Sequence, residues 1–445
     1  MGKLFGTDGI RGEANVQLTP ELAFKIGRIG CHLLKKQSSY SSFLIARDTR
    51  LSGEMLEGAL AAGIASTGAD VRLLGAAPTP AAAYLARHLK AAGSVVISAS
   101  HNPYPDNGIK FFNTFGFKLP EEQEDEIEAL YYSGTDYIER PAGPGIGRIS
   151  STPNDLTHYL EYLKTLAPSL NGLPLVLDCA HGACSYLAPA IFRALGARLT
   201  VIHNTPDGTN INYKCGSTCI GILKEKVLRQ KAALGLAFDG DGDRLIAVDE
   251  KGREVDGDAI MTICARKLIE QKKLANSTVV ATVLSNGGLE LAGSRLGFQV
   301  KRTRVGDRNV LQAMEKGNFT LGGEQSGHII FRDHQTTGDG LLTALMLLEA
   351  LSGSGQNLSE QADLMPRLPQ VQYNCRVTHI KDWEQNARIR QAMRRVEDRL
   401  NGSGRLLVRA SGTEPLIRIM LEGRDTDYLE EIASELGGVI TGELN

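Results

Sequence analysis

A strand, a helix and a second strand follow one another early in the chain, and the same order begins again twice more. Thr19-Pro20 reads as the N-cap and first-turn proline of a helix whose Leu22, Ile26, Ile29 and Leu33 recur at 4-3-4 spacing on one face. The strand Phe43 to Ala46 follows, then a helix from about Ser52 to Thr67, a strand from Val71 to Leu74, and Val95-Val96-Ile97. The order restarts at Leu175 to Asp178, with a helix through Leu187 to Leu195 and a strand from Leu199 to Ile202. It restarts again at Val279 to Val283, with a helix near Leu289 and a strand from Phe298 to Val300. Such alternation produces a sheet with covering helices, so three related α/β domains are expected. Past about Pro366 the order becomes a strand, a charged helix from Trp383 to Leu400, and strands at Leu406 to Arg409 and Leu416 to Leu421. That predicts a smaller C-terminal α+β domain.

At 445 residues the chain exceeds one hydrophobic core, which agrees with several domains. The Pro/Gly-rich stretch Pro141 to Pro144, the turn at Asp249 to Gly252 and the segment Leu364 to Pro369 are the candidate joints. They divide the chain into 1–150, 151–250, 251–365 and 366–445. Apolar content of 42% and a net charge of -2 give no bias toward nucleic acid or acidic membranes, so any phosphate must be met locally. The seven cysteines are odd in number and lack the paired C-x₂-C spacing of zinc sites, which predicts reduced, mostly buried thiols. Met1 to Gly6 has no apolar signal core, Gly6 stands where myristoylation needs Ser or Thr, and no apolar run reaches the ~18 residues of a span. A cytoplasmic protein is expected.

Four loops carry chemistry. Ser100, in Ser98-Ala99-Ser100-His101-Asn102-Pro103, stands just past the apolar strand Val95 to Ile97, where α/β sheets place ligand loops. Its neighbour His101 is no sign of a hydrolase triad, whose members meet in space, and no G-x-S-x-G elbow is present. A capping serine is the plain alternative. Asp239, Asp241 and Asp243 follow the apolar run Leu234 to Phe238, and Gly240 and Gly242 let a tight loop turn three carboxylates inward. Hard oxygen donors of this kind select Mg²⁺. An EF-hand count fails, because Arg244 occupies the position that needs glycine and both flanks read as strands; a solvated acidic turn remains as the simpler reading. Together, a phosphorylatable hydroxyl and a divalent-cation site are the minimum for phosphoryl transfer through a phosphoenzyme.

In Gly322-Gly323-Glu324-Gln325-Ser326-Gly327-His328, glycines bracket Glu324, Ser326 and His328, a set suited to hydrogen-bonding vicinal sugar hydroxyls. Arg409, Ser411, Gly412 and Thr413, with Arg418 further on, join a cation, hydroxyls and a bare backbone N–H into a phosphate cradle; an ordinary strand-turn-strand is the alternative.

With all four loops in place the chain resembles the α-D-phosphohexomutase superfamily from end to end, starting at Phe5-Gly6-Thr7-Asp8-Gly9-Ile10-Arg11-Gly12. The resemblance implies four domains around one central cleft, each giving one loop: phosphoserine at Ser100, metal at Asp239 to Asp243, sugar at Glu324 to His328, phosphate at Arg409 to Thr413. It implies Ser100 as a metal ligand once phosphorylated, and Lys110, Arg11 and Arg244 as catalytic cations, Lys110 with a part in proton transfer. Glu324-Gln325-Ser326 is similar to the amino-sugar branch, whereas hexose enzymes tend to have methionine at the middle position. The implied reaction interconverts glucosamine 6-phosphate and glucosamine 1-phosphate, feeding UDP-N-acetylglucosamine and cell-wall synthesis. It uses one Mg²⁺ per chain and glucosamine-1,6-bisphosphate as activating intermediate. His181, where relatives often have asparagine, lies outside the four loops and is set aside. Rival readings are a hexose-phosphate mutase, an aspartyl-phosphate phosphatase with Asp239 as nucleophile, and a non-catalytic sugar-phosphate sensor. The expected partner is a phosphorylated amino sugar, with no nucleic acid and no membrane; the oligomeric state stays open, a homodimer included.

Overall fold

The computed structural model describes residues 4–6, 8–134, 136–400, 404–410 and 415–445. Its first part comprises β1 (Ile10–Glu13), α1 (Pro20–Lys36), β2 (Ser42–Arg47), α2 (Ser52–Ala65), β3 (Asp70–Ala76), α3 (Thr79–His88), β4 (Gly93–Ile97), β5 (Asp106–Asn113), α4 (Glu121–Ser133) and β6 (Ile149–Ser151). Helix α1 begins as its cap dictates: Thr19 Oγ1 accepts from the Leu22 N–H at 3.3 Å, and Pro20 fills the first turn. The second part comprises α5 (Leu156–Thr165), β7 (Pro174–Asp178), α6 (Cys184–Ala194), β8 (Arg198–Ile202), α7 (Gly221–Gln230), β9 (Leu234–Phe238), β10 (Leu245–Asp249) and β11 (Glu254–Val255). The third comprises α8 (Gly257–Glu270), β12 (Thr278–Thr282), α9 (Gly288–Leu296), β13 (Gln299–Thr303), α10 (Asp307–Gly317), β14 (Leu321–Gly323), β15 (Ile329–Phe331), α11 (Gly340–Leu351) and α12 (Leu358–Ala362). The last comprises β16 (Gln370–Arg376), α13 (Ala387–Leu400), β17 (Arg405–Ala410), β18 (Leu416–Glu422) and α14 (Thr426–Leu444).

The first three sheets contain one repeated pattern. Their strand orders include β3-β2-β4-β5, β8-β7-β9-β10 and β13-β12-β14-β15. In each, the central pairings are parallel and the final strand returns antiparallel. The connection from third to fourth strand therefore occupies one equivalent position three times, and it carries Ser100, then Asp239 to Asp243, then Glu324 to His328. The expected three related α/β units are thus present. Strands β9 and β10, which flank the acidic loop, are fully buried, so the loop is no helix-flanked calcium site.

By contacts the chain forms two compact units, Met1–Thr282 with Gly297–Leu364, and Val283–Leu296 with Met365–Asn445. The second unit has an antiparallel sheet in the order β16-β18-β17 and its own core, with Trp383, Ile389, Val396, Ile419, Leu421, Ile432 and Leu436. The charged helix there starts later than its pattern suggests. Trp383–Gln385 is a separate 3₁₀ turn, and Asn386 is extended, its Oδ1 accepting from the Arg388 and Ile389 N–H groups to open α13. Helix α14 has no counterpart in the sequence reading, although Asp425 caps it and Leu429, Ile432, Leu436 and Ile440 are all buried along it. All seven cysteines are free, and six are buried; Cys219 is exposed. Among the described residues, no helix is long and apolar enough to cross a membrane.

Candidate active site

Ser100 sits just beyond β4 with φ at 51°, a left-handed conformation that a non-glycine residue adopts only when its surroundings impose it. Those surroundings are polar and buried. Ser98 Oγ accepts from the Ser100 N–H at 2.9 Å and donates to Asp48 at 2.6 Å. The Ser100 carbonyl accepts from Arg50 at 2.9 Å and from Asn212 Nδ2 at 2.8 Å. Arg50 also holds the carbonyls of Asn102, Pro103 and Asp106, and pairs with Asp48 at 2.8 Å. The Ser100 hydroxyl is left to donate to Asp239 Oδ2 at 2.7 Å, with His101 Nδ1 3.4 Å away. Burial, with help from Arg244 and Arg11, drops the His101 pKa to about 4, so this imidazole is neutral near pH 7.

The two sequence motifs thus meet at a hydrogen bond between first and second domains. Gly240 allows it: a Cβ there would lie 2.5 Å from the Ser100 carbonyl oxygen. Asp239, Asp241 and Asp243 are each at most 3% exposed, and one oxygen from each lies within 4.8 Å of the others. Asp241 Oδ2 accepts from Thr79 Oγ1 at 2.7 Å and from Lys110 Nζ at 3.1 Å. Asp243 Oδ2 faces His328 Nδ1 at 3.4 Å, and Arg244 Nε lies 3.7 Å from Oδ1. Burial and the two neighbouring carboxylates push the Asp239 pKa well up. Burial opposes ionisation of Asp243 too, but the pull of His328, Lys110 and Arg244 keeps that carboxyl far below the usual range. Among the described residues, Asp241 Oδ1 and Asp243 Oδ1 are buried without a hydrogen-bond donor. Converging carboxylates with orphaned oxygens fit a hard divalent cation, because such oxygens are costly unless something positive reaches them.

Around this triad runs a charged network in which Lys110 and Arg11, expected from the resemblance, are joined by Asp8, Lys118 and Asp307. Lys110, almost wholly buried, pairs with Asp8 at 3.0 Å as well as with Asp241. Burial disfavours its charge, but Asp241 and Asp8 outweigh that and raise its pKa, so the ammonium stays protonated. Asp8 also binds Arg11 and Lys118, and Lys118 reaches on to Asp307. Asp8 lay within a recognised motif. Lys118 and Asp307 are far apart in the chain and carry no local signal, as do Thr79, Arg50 and Asn212.

The third loop joins the same site through His328. The Gly338 N–H donates to its Nε2 at 3.0 Å, which leaves Nδ1 to carry the proton toward Asp243. Glu324 Oε1 accepts from the Gly306 N–H at 3.0 Å, while Ser326 is exposed. Gln325 turns aside: its side-chain amide donates to Asp256 Oδ2 at 3.2 Å, and its backbone carbonyl accepts from the Gly257 N–H at 3.0 Å. In the C-terminal unit, Arg409 on β17 is directly opposite Arg418 on β18. Burial and the facing Arg418 charge both lower the Arg409 pKa, so this edge favours an anion. Ser411, Gly412 and Thr413 lie outside the described residues.

The comparisons with known proteins agree along the whole chain. Models of the phosphoglucomutase/phosphomannomutase α/β/α domains I, II and III match residues 2–137, 157–252 and 256–368, and that of the C-terminal domain matches 373–437. A phosphoglucosamine mutase of Desulforudis audaxviator is 51% identical over 442 residues, 99% of this chain and 98% of the relative. In fold, the chain is similar to a phosphoglucomutase/phosphomannomutase family protein of Burkholderia thailandensis, with TM-score 0.83 and 24% identity over 99% of this chain and 97% of that one. An N-acetylphosphoglucosamine mutase of Aspergillus fumigatus, solved with GlcNAc-6P and magnesium, gives TM-score 0.70 and 18% identity over 99% and 96% of the two chains. A full set of four domains and half-identity over the full length leave one conclusion: this chain is an isomerase belonging to the phosphoglucosamine mutase family of phosphohexomutases.

Proposed function

We propose that the chain carries the phosphoryl group on Ser100 and passes it to O1 of glucosamine 6-phosphate, giving glucosamine-1,6-bisphosphate. The intermediate turns end for end and returns its 6-phosphate to Ser100, releasing glucosamine 1-phosphate. In each half-reaction one P–O bond breaks as another forms: in the first the sugar O1 hydroxyl loses a proton and Ser100 Oγ gains one, and in the second Ser100 Oγ loses a proton and the sugar O6 gains one. The observation that carries this reading is the 2.7 Å hydrogen bond from Ser100 Oγ to Asp239, which puts the hydroxyl against the acidic triad.

Asp239, Asp241, Asp243 and phosphorylated Ser100 would hold one Mg²⁺, which neutralises charge on the transferring phosphoryl group when bound. Lys110, kept cationic by Asp241 and Asp8, is suited to stabilising developing negative charge and to giving a proton rather than taking one. Arg11 and Arg244 each have a buried Nε without a hydrogen-bond partner among the described residues, a donor available to phosphate oxygens. Glu324 and Ser326 are assigned to sugar hydroxyls, whereas His328, expected beside them, has both ring nitrogens committed to Gly338 and Asp243 and supports the acidic loop; Arg409 with Ser411, Gly412 and Thr413 is assigned to the phosphate that is not reacting. Segments 1–150, 151–250, 251–365 and 366–445 are the four loop-bearing domains in this scheme. The product supplies UDP-N-acetylglucosamine and cell-wall synthesis in the cytoplasm.

Mapping the phosphate on purified protein by mass spectrometry tests the proposal. Phosphate on Ser100 that resists hydroxylamine, with turnover lost in Ser100→Ala, is the expected result. A hydroxylamine-labile phosphate on Asp239, or full activity in Ser100→Ala, would reject it.

A further inference from the structure

In the second domain, the ends of β7 and β8 meet the segment around Cys215 at another cluster of metal-binding groups. Asp178 closes β7 and is wholly buried. Its Oδ1 accepts from the Ala180 N–H at 2.9 Å, while Oδ2 turns to His203, just past β8, whose Nδ1 is 3.0 Å away. Cys215, also fully buried, completes the group, and one donor atom from each of the three lies within 4.8 Å of the other two. Asp178 Oδ2 and His203 Nδ1 are both buried, yet neither makes a hydrogen bond among the described residues despite their closeness. An imidazole paired with a carboxylate ordinarily lays its N–H along the line between them. Here the two atoms are close but not aligned, as when both address a third point.

We propose that Asp178, His203 and Cys215 form a binding site for a late-transition divalent cation, zinc by donor set, distinct from the hard-cation loop at Asp239 to Asp243. One carboxylate, one imidazole and one thiolate are zinc's three protein donor types, and thiolate disfavours magnesium. Tetrahedral zinc sets neighbouring donors about 3.4–3.6 Å apart, so the observed cluster needs only side-chain adjustment to close on a cation. A fourth position falls to solvent; His181, whose ring sits edge-on to His203 with centroids 5.3 Å apart, accepts from the Thr205 N–H through Nδ1.

The backbone holds the group in place. Ala180, His181 and His203 have φ of 54°, 50° and 50°, and the His181 N–H donates to the His203 carbonyl at 2.6 Å. The same loops lean on the acidic loop. The Ala183 N–H donates to the Gly240 carbonyl at 2.8 Å, and the Ser217 N–H to that of Phe238 at 2.9 Å. A cation at the cluster therefore stiffens the support of the residue between Asp239 and Asp241. Without metal, burial pushes the Cys215 thiol up to about 12, so loading releases a proton.

The test uses the full chain, stripped by chelator and returned to saturating Mg²⁺, then titrated with Co²⁺ and separately with Zn²⁺. A single Co²⁺ with a thiolate-to-metal charge-transfer band is expected, displaced by Zn²⁺, with a higher melting temperature in Zn²⁺. Cys215→Ser should abolish the band, and His203→Gln should weaken Co²⁺ binding by ~10-fold or more. Asp241→Ala, which disables the acidic loop, should leave the band unchanged. A native chain without the band, or a band that survives in Cys215→Ser, overturns the proposal. Circular dichroism checks that each variant is folded, and the titration of the native chain decides the matter alone if one is not.

Discussion

Arg50 commits its whole guanidinium to the loop that bears Ser100. Four carbonyls and the Asp48 carboxylate surround it, and both charges are out of reach of solvent. A lysine keeps the charge but offers three donors from one point, which cannot replace a planar fork with five. Arg50→Lys should therefore lower stability in urea by about 2–4 kcal/mol, because buried carbonyls lose their partners. It should also reduce kcat by at least ~10-fold with a smaller change in KM, since the loop positions the reacting oxygen. An unchanged kcat would show that Ser100 keeps its place without this clamp. At Asp241 the expectation is sharper: Asp241→Ala leaves two carboxylates, removes the carboxylate that Thr79 donates to, and takes from Lys110 one of its two acidic partners. Turnover should vanish at every Mg²⁺ concentration in a coupled assay, and recovery at high Mg²⁺ would contradict the assignment. Ser100 and the three aspartates were legible in the sequence because each follows directly on an apolar strand. The Lys118–Asp307 pair was not, since a contact made only in the fold leaves no local spacing to read.

At the scale of elements, one loop and one helix cap invite measurement. Gln325 donates to Asp256, the N-cap residue of α8, so it sets the shape of the Glu324 to His328 turn and leaves contact with the sugar to its neighbours. Gln325→Met breaks that tie and should lower kcat/KM for glucosamine 6-phosphate by about 10-fold, the loss of one hydrogen bond to a charged group, while glucose 6-phosphate changes less. Parallel losses for both sugars would indicate general loop damage instead. Asp339 caps α11 and accepts from Tyr159 Oη and Gln335 Nε2, yet burial lifts its pKa to about 6. The unfolded chain gives up this proton near pH 4, so from about 4 to about 6 the folded state binds more protons and loses stability as pH rises. Asp339→Asn lacks that penalty. Its melting temperature relative to the native chain should rise between pH 4 and 7, by an amount equivalent to roughly 2–3 kcal/mol, whatever constant offset the lost hydrogen bonds add. A difference that stays flat across this range would show Asp339 ionised throughout. Most elements followed from periodicity and caps, Thr19-Pro20 most plainly. Helix α14 carries the same signals in the sequence, Asp425 as cap and a 3-4-4 apolar spacing from Leu429 to Ile440.

For the molecule as a whole, a ligand that must react at either end cannot be recognised at its ends alone, so discrimination falls to groups central to the ring. We expect kcat/KM for glucosamine 6-phosphate to exceed that for glucose 6-phosphate by at least ~100-fold, about 2.7 kcal/mol, with each sugar supplied with its bisphosphate. Equal or reversed preference would shift the assignment to the hexose branch while leaving Ser100 in place. Periodicity foretold the three α/β units but not that their third-to-fourth strand connections coincide, because strand order depends on pairings between distant segments. That coincidence bears on how such an enzyme can change. Each of the three connections is anchored at both ends by strands of its own sheet, so its length and composition can drift without altering the register of the other two. A graft of Glu324 to His328 from a hexose enzyme would then act as a cassette, rewriting which sugars are accepted while the chain keeps its phosphoryl chemistry.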